Sequence, residues 1–369
     1  MGTLILQDGS VIKGNSKGAI GGYEGEIVFN TSMAGYQEIL TDLSYAKQIV
    51  VMSYPEIGNY GINEIDFEAQ NPALVGIIAK NFCEEENHYK STQNISTYLQ
   101  MHNIIALDDI DTRALVKKIR ENGTQSAFIT SNDLTQEEIE EKIQHLQEFK
   151  ISNDVILQTG AKEKYQYNDQ GEIDLAFIDY GTKNSILNTL AKKGCKITVY
   201  PPSVSAQEIL ENNHHALFLS SGPANPNEFS YQIEQIKEIV GKIPLFGIGL
   251  GYQLLALCAG AEVYKLKSGH RGTNYPVINL ENKKILITNQ NHGYAVKSDN
   301  LAKFIRATYK NLNDDTLEGF EIDSLKVYAV QFYPETTVKA EETTTIYDEW
   351  VNIAKREINN KNNEVKNER

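Results

Sequence analysis

The chain has 369 residues, enough for two domains that each bury a sizeable core. Its 41% apolar and 23% charged residues exclude global disorder. With 35 basic against 49 acidic residues the net charge is −14, which excludes nucleic acid or an anionic membrane surface as the main partner.

The first 150 residues mix short strands with turns. The strings LILQDG, EIVFNTS and QIVVMSYP read as strands, and Gly18, Gly21, Gly22 and Gly25 read as turns between them. The N-terminus lacks the basic and apolar regions of a signal peptide, and Gly2 lacks the context for myristoylation. From Thr135 to Phe149 the pattern becomes helical: Thr135 and Glu138 form a capping-box pair, and Ile139, Ile143, Leu146 and Phe149 recur on one face. Residues 151–173 lose periodicity and read as a polar linker, so the first domain is expected over 1–150.

From Asp174 strands and helices alternate. LAFIDY, KITVY, ALFLS and PLFGI read as strands, and Asn184–Lys193, Ser205–Asn212, Asn227–Val240 and Tyr252–Ala259 as helices. That alternation predicts an α/β domain over 174–358 with a doubly wound, largely parallel sheet. EVYKL, KILIT, FIRAT and KVYAVQF read as antiparallel additions, Glu342–Ile358 as a last helix, and 359–369 as a frayed polar tail. The run Ile243–Ala261 approaches membrane length, but its glycines and Pro244 make it a buried strand, tight turn and buried helix. Cys83, Cys195 and Cys258 show no metal-ligand spacing, and an odd, sparse count fits a reducing, cytoplasmic compartment. His88, His102, His214 and His215 read as surface polar positions.

Ligands of open α/β sheets bind outside the carboxyl ends of the strands. Three loops lie there: Ser220–Pro226, Gly247–Gln253 and Gln331–Glu335. The middle one, between a buried strand and a buried helix, has the pattern of a nucleophile elbow with Gly249 at the nucleophile position, and it also reads as a plain glycine-rich turn. In the third loop Tyr333 stands where an imidazole would serve, with Glu335 two residues on. A phenol with a pKa near ~10 is a poor base at neutral pH, and Tyr-Pro-Glu is also a common strand-ending turn.

These loops, in this order, resemble the class I glutamine amidotransferases. The strings GEIVFNTSMAGYQEILTDLSYAKQIVVMSYPEIGNYGIN (25–63), IDTRALVKKIRENG (110–123), DYGTKNSIL (179–187), GHRGTNYPV (269–277) and NQNHGYAV (289–296) resemble the small, glutaminase subunit of carbamoyl-phosphate synthase, from about Leu4 to Trp350. The resemblance implies an N-terminal β/α domain that docks on a large synthetase subunit, and a C-terminal class I amidotransferase-like domain that hydrolyses L-glutamine. The large subunit uses the ammonia, bicarbonate and ATP with Mg to make carbamoyl phosphate for arginine and pyrimidine synthesis. No cofactor or metal is implied in this chain.

In that family a cysteine thiolate attacks the side-chain amide, a histidine shuttles the proton, and a glutamate orients the histidine. The family pattern G-I-C-L-G-H-Q stands here as Gly247-Ile248-Gly249-Leu250-Gly251-Tyr252-Gln253, and Q-F-H-P-E stands as Gln331-Phe332-Tyr333-Pro334-Glu335. The resemblance therefore implies that thiol and imidazole are lost and the glutamate kept. S-N-G-P-G-D-P has become Ser220-Ser221-Gly222-Pro223-Ala224-Asn225-Pro226, and D-P-S-Y reads Asp42-Leu43-Ser44-Tyr45. Carried over by position, glutamine contacts fall on Ser44, Gly222, Ala224, Leu250, Gln253, Asn291, Gly293 and Tyr294. The methyl group of Ala224, at a glycine position, crowds the ligand or is harmless if φ there is negative.

The expectation is a homologue without glutaminase chemistry that acts as a docking subunit of an ammonia-using synthase. The alternatives are a glutamine-binding sensor module and an active glutaminase with an unexpected nucleophile. Cys258, nine residues past Gly249 and so about 13 Å along a helix, reads as a core residue, and His292 as part of the binding segment.

Overall fold

A computed structural model describes residues 1–299, 301–335 and 341–367. The chain divides into two units: Met1–Val155 with Leu266–Gly272, and Ile156–Lys265 with Thr273–Arg369.

In the first unit seven strands close into a barrel: β1 (Gly2–Leu6), β2 (Val11–Ser16), β3 (Gly22–Asn30), β4 (Gln48–Met52), β5 (Gly76–Ile78), β6 (Ile105–Asp108) and β7 (Gln125–Thr130), in the order β1-β2-β6-β5-β4-β3-β7. The run β3-β4-β5-β6 is parallel and the remaining pairs are antiparallel. Four helices accompany it, α1 (Tyr36–Thr41), α2 (Ile95–Met101), α3 (Thr112–Asn122) and α4 (Gln136–Leu146). Alternate residues of one strand enter different cores. Ile49 and Val51 pack with Leu115 and Ile119 of α3, whereas Val50 and Met52 pack with Leu40 of α1 and Leu99 of α2. Burial on both faces is why β4 is a continuous apolar run instead of an alternating one. The capping box forms as expected, with Thr135 accepting from Glu138 N and Glu138 accepting from Thr135 N. Gly22 and Gly25 lie inside β3 rather than in turns; a side chain on Gly25 would come within 2.5 Å of the Lys47 carbonyl.

The second unit is a ten-stranded sheet. Its strands are β8 (Tyr165–Asn168), β9 (Ile173–Ile178), β10 (Cys195–Tyr200), β11 (Ala216–Leu219), β12 (Leu245–Ile248), β13 (Val263–Asn279), β14 (Ile285–Val296), β15 (Arg306–Asn311), β16 (Leu317–Ile322) and β17 (Val327–Val330), in the order β8-β10-β9-β11-β12-β17-β16-β14-β13-β15. Crossovers run through α6 (Asn184–Lys192), α7 (Ala206–Glu211), α8 (Ser230–Ile239) and α9 (Leu250–Cys258). The parallel core is β10-β9-β11-β12-β17.

Four expectations change here. Residues 151–173 are not a structureless linker: they form a short helix α5 (Val155–Thr159) and then β8, which pairs antiparallel with β10 at the sheet edge. The string KVYAV is more than an antiparallel addition: β17 pairs antiparallel with β16 as expected, but on its other side it runs parallel to β12 and completes the core sheet. The polar tail from 359 continues a helix, α10 (Glu341–Asn367), whose backbone bonds do not need an apolar face; 368 and 369 lie outside the described residues. Finally, Leu266–Gly272, from the middle of β13, belongs to the first unit, where Lys267 O accepts from Thr124 N at 2.8 Å and Arg271 O from Thr31 N at 3.1 Å. No helix among the described residues is long and apolar enough to cross a membrane, and the run 243–261 holds β12, a turn and α9.

His214 is buried, not a surface position. Its Nδ1 meets Asp174 Oδ1, and its Nε2 lies 2.7 Å from the Tyr200 hydroxyl. Lys196 Nζ donates to the other Asp174 oxygen at 2.9 Å. Burial pushes the Asp174 carboxyl up, and the bonds to Lys196 and His214 more than offset this, so its pKa is lowered on balance. A carboxylate depressed on folding adds stability above its unfolded pKa and loses it as pH falls through the folded one. Asp174→Asn is therefore expected to lower stability at pH 7, with the gap to the unmodified chain narrowing below about pH 4. Denaturant titrations at pH 7 and pH 3 check this, and a gap that does not change with pH would contradict it.

Candidate functional site

The turn after β12 is shaped by three glycines, two of them required by close packing. A Cβ on Gly247 would lie 2.7 Å from Leu255 Cδ1, and one on Gly251 would lie 2.2 Å from the Leu219 carbonyl oxygen. Only glycine lets α9 start this close to the sheet. Between them Gly249 caps α9 with φ 58° and ψ −110°, a conformation that strains any L side chain. The turn is held to both neighbouring strand ends. Gly249 N donates to Val330 O at 3.1 Å, and Gly251 N donates to Ser220 O at 3.0 Å. The strand–turn–helix expected for an elbow is therefore present at the head of α9, with no side chain on its central residue.

Beside it, the loop after β11 is fixed from below, because Ser220 Oγ accepts from Tyr180 N at 2.9 Å. Gly222 is again a close approach, 2.7 Å from the Tyr180 carbonyl for an added Cβ. Ala224 has φ +84°, so the condition for a harmless methyl group is not met. Ala224→Gly is expected to stabilise the chain by about 0.5–1 kcal/mol, the left-handed penalty less the extra freedom of an unfolded glycine. Equilibrium unfolding in urea measures this, and a loss of stability would contradict it.

On the other side, the loop after β17 carries Tyr333 and Glu335. Tyr333 is 3% exposed, packs in the main core of the unit, and donates its N–H to Asn289 O at 2.9 Å. Glu335 is 5% exposed; its Oε1 lies 3.3 Å from Lys183 Nζ, and its Oε2 accepts from the Tyr347 hydroxyl at 2.6 Å. The Lys183 ammonium also sits 4.6 Å from the centre of the Tyr333 ring. Sequence reasoning missed Lys183 and Tyr347. The string DYGTKNSIL contains the first, but nothing local shows that it reaches a carboxylate 152 residues away.

The expected glutamine contacts fall in several places. Gln253, on the first turn of α9, donates to Tyr294 O at 3.0 Å and to Gln331 Oε1 at 2.9 Å, which joins the elbow to β14 and to the β17 loop. Leu250 is buried at the start of α9, and Asn291, Gly293 and Tyr294 lie half-buried on β14. Ser44 lies in the first unit, in a turn whose Asp42 carboxylate accepts the Ser44 N–H. His292 is held by its own strand, with Nδ1 2.8 Å from Tyr294 O and Nε2 3.0 Å from Gln290 Oε1. Two buried polar atoms beside the Gly249 turn, Ser221 Oγ and Gln331 Nε2, have no hydrogen-bond partner among the described residues. Cys258 ends α9 with its sulfur 3.5 Å from Ile233 O, and burial pushes its thiol up to about 12, well away from a nucleophile's range.

Two family models match the chain: the carbamoyl-phosphate synthase small chain CPSase domain over residues 4–129, and class I glutamine amidotransferase over 176–353. Curated relatives span nearly its whole length. The carbamoyl phosphate synthase small chain of Clostridium perfringens is 41% identical over 95% of this chain and 99% of its own. The pyrimidine-specific small chain of Bacillus subtilis is 40% identical over 95% of both. The small chain of Caldanaerobacter subterraneus subsp. tengcongensis is 42% identical over 95% of this chain and 96% of its own.

Proposed function

The chain belongs to the carbamoyl-phosphate synthase small-chain family, and from that premise we propose that it is a member that has lost glutamine hydrolysis and serves as a docking subunit for a large synthetase chain fed by free ammonia. One observation carries this reading: the head of α9, where acyl transfer needs a sulfur, holds Gly249 and no side chain. The proton shuttle is missing as well, since a buried phenol stands at 333. Removing one member of a concerted triad costs about 10⁶-fold in turnover in a well-studied protease, and an oxyanion hole with a binding pocket leaves ~10³ over water. That residue of activity is too slow to feed a synthetase. Cys258 offers no substitute, being about 13 Å along α9 with a thiol held protonated.

The docking role rests on family membership together with the matched N-terminal domain. The partner would carry ATP, Mg and bicarbonate in the cytoplasm, for arginine or pyrimidine synthesis, with neither nucleic acid nor membrane involved. The test is to combine the purified chain with a cognate large subunit and supply L-glutamine or ammonium separately. Carbamoyl phosphate is expected from ammonium only; equal output from glutamine would overturn the reading.

A second reading, glutamine binding without turnover, is favoured by Ser221 Oγ and Gln331 Nε2 beside Gly249, two buried polar atoms with no partner among the described residues, whose burial is unfavourable until something bonds them. Calorimetry with L-glutamine separates the two, and silence at millimolar concentration removes the sensor.

A further inference from the structure

The geometry points to Tyr347 as a positioning residue in this site: its hydroxyl has taken over the carboxylate of Glu335, a third departure from a working relay besides the glycine at 249 and the phenol at 333. The inference rests on the proposed loss of hydrolysis, because it describes what Glu335 does in place of holding an imidazole.

Glu335 leaves the sheet just beyond β17, and Tyr347 lies on α10, fully buried, with its ring 5.9 Å from that of Trp350 and at 84° to it. Trp350 in turn stacks on Phe246 of β12 at 5.2 Å, so the helix that carries the hydroxyl is packed against the core sheet. A hydroxyl held this way does not swing aside freely, since rotation of a buried ring needs room that a close-packed core lacks. The 2.6 Å bond from a phenol to an ionised carboxylate belongs to the strong, charge-assisted class. The other oxygen faces Lys183 at 3.3 Å. Both oxygens of Glu335 are thus engaged, one by a cation and one by a neutral donor. To be oriented by Glu335, an imidazole at position 333 would have to displace the phenol or share its oxygen.

The three groups come from separate parts of the chain: the loop before α6, the loop after β17, and α10. They meet where a proton relay would otherwise run. The same contacts that would compete with an imidazole for Glu335 fasten α10 to the sheet, so the carboxylate has a structural use that does not depend on catalysis.

The experiment compares Gly249→Cys/Tyr333→His with the same variant carrying Tyr347→Phe. The readouts are glutamine hydrolysis and the pH dependence of alkylation of the introduced thiol by iodoacetamide, followed on its own peptide so that Cys83, Cys195 and Cys258 do not interfere. Freeing Glu335 should raise kcat by about tenfold with KM unchanged, and lower the alkylation midpoint by about one pH unit, as an oriented imidazole pairs with the thiolate. Adding Glu335→Gln should cancel both gains. Identical alkylation profiles with and without Tyr347→Phe would overturn the inference, even in a protein that has ceased to bind glutamine. If these variants fail to fold, the unmodified chain decides: Tyr347→Phe and Glu335→Gln should be non-additive in thermal stability, and strict additivity overturns it. Ammonia release by the unmodified chain would sink the loss of hydrolysis without touching either comparison.

Discussion

Gly249→Cys combined with Tyr333→His is expected to raise glutamine hydrolysis from background to a measurable rate, with each single change remaining at background. A thiol alone at the elbow has a pKa near ~8.5 and no acceptor for its proton, and an imidazole alone has nothing to activate. Together they supply the nucleophile and its base beside the N-terminal amides of α9, where an oxyanion would form. The backbone is already in the required shape, φ 58° and ψ −110°. An added Cβ would lie 3.3 Å from Ser221 Cβ, slightly tighter than ordinary contact, so Ser221 must yield a little. A non-glycine residue at positive φ costs about 1–2 kcal/mol, and the double variant should be less stable by that amount. Ammonia release, together with a γ-glutamyl adduct seen by mass spectrometry, measures the gain. A Gly249→Cys single variant that turns over as fast as the double would show that some other group serves as the base.

The second large effect is on stability. Lys183→Met should destabilise the second unit by ~3–5 kcal/mol, because it leaves the Glu335 carboxylate buried without its cation. Lys183 and Glu335 side chains are 4% and 7% exposed, so water cannot replace the lost charge. In a unit of about 200 residues such a loss lowers the melting temperature by on the order of 10 °C. The companion Lys183→Met/Glu335→Gln should recover part of the loss, since it removes the buried carboxylate charge as well. A Lys183→Met variant that melts within a degree or two of the unmodified chain would show that the pair is solvated in solution.

Much of the candidate site was legible because its information is local. Strand, glycine turn and helix follow one another within a dozen residues around Gly249, and the close approaches of Gly247 and Gly251 belong to that same segment. The three loops appeared in the right places because parallel strands with helical crossovers deliver their carboxyl ends to one edge. The buried histidine at 214 was not legible: its neighbours Asn213 and His215 are polar, and its partners Asp174 and Tyr200 belong to other strands. Residues 151–173 were misread for a similar reason. An edge strand such as β8 is half exposed and polar, so its only strong signal is the partner it pairs with.

The order of the amino acids by itself determined the family, the alternation of strand and helix in the second unit, and the glycine at the head of α9, since each is written in consecutive residues. Tertiary structure alone decided that seven short strands close into a barrel, that Leu266–Gly272 joins the first unit, and that Glu335 is shared by Lys183 and Tyr347. Those outcomes depend on contacts between residues remote in the chain, whose formation is settled by burial and hydrogen-bond satisfaction in three dimensions and leaves no periodic trace along one.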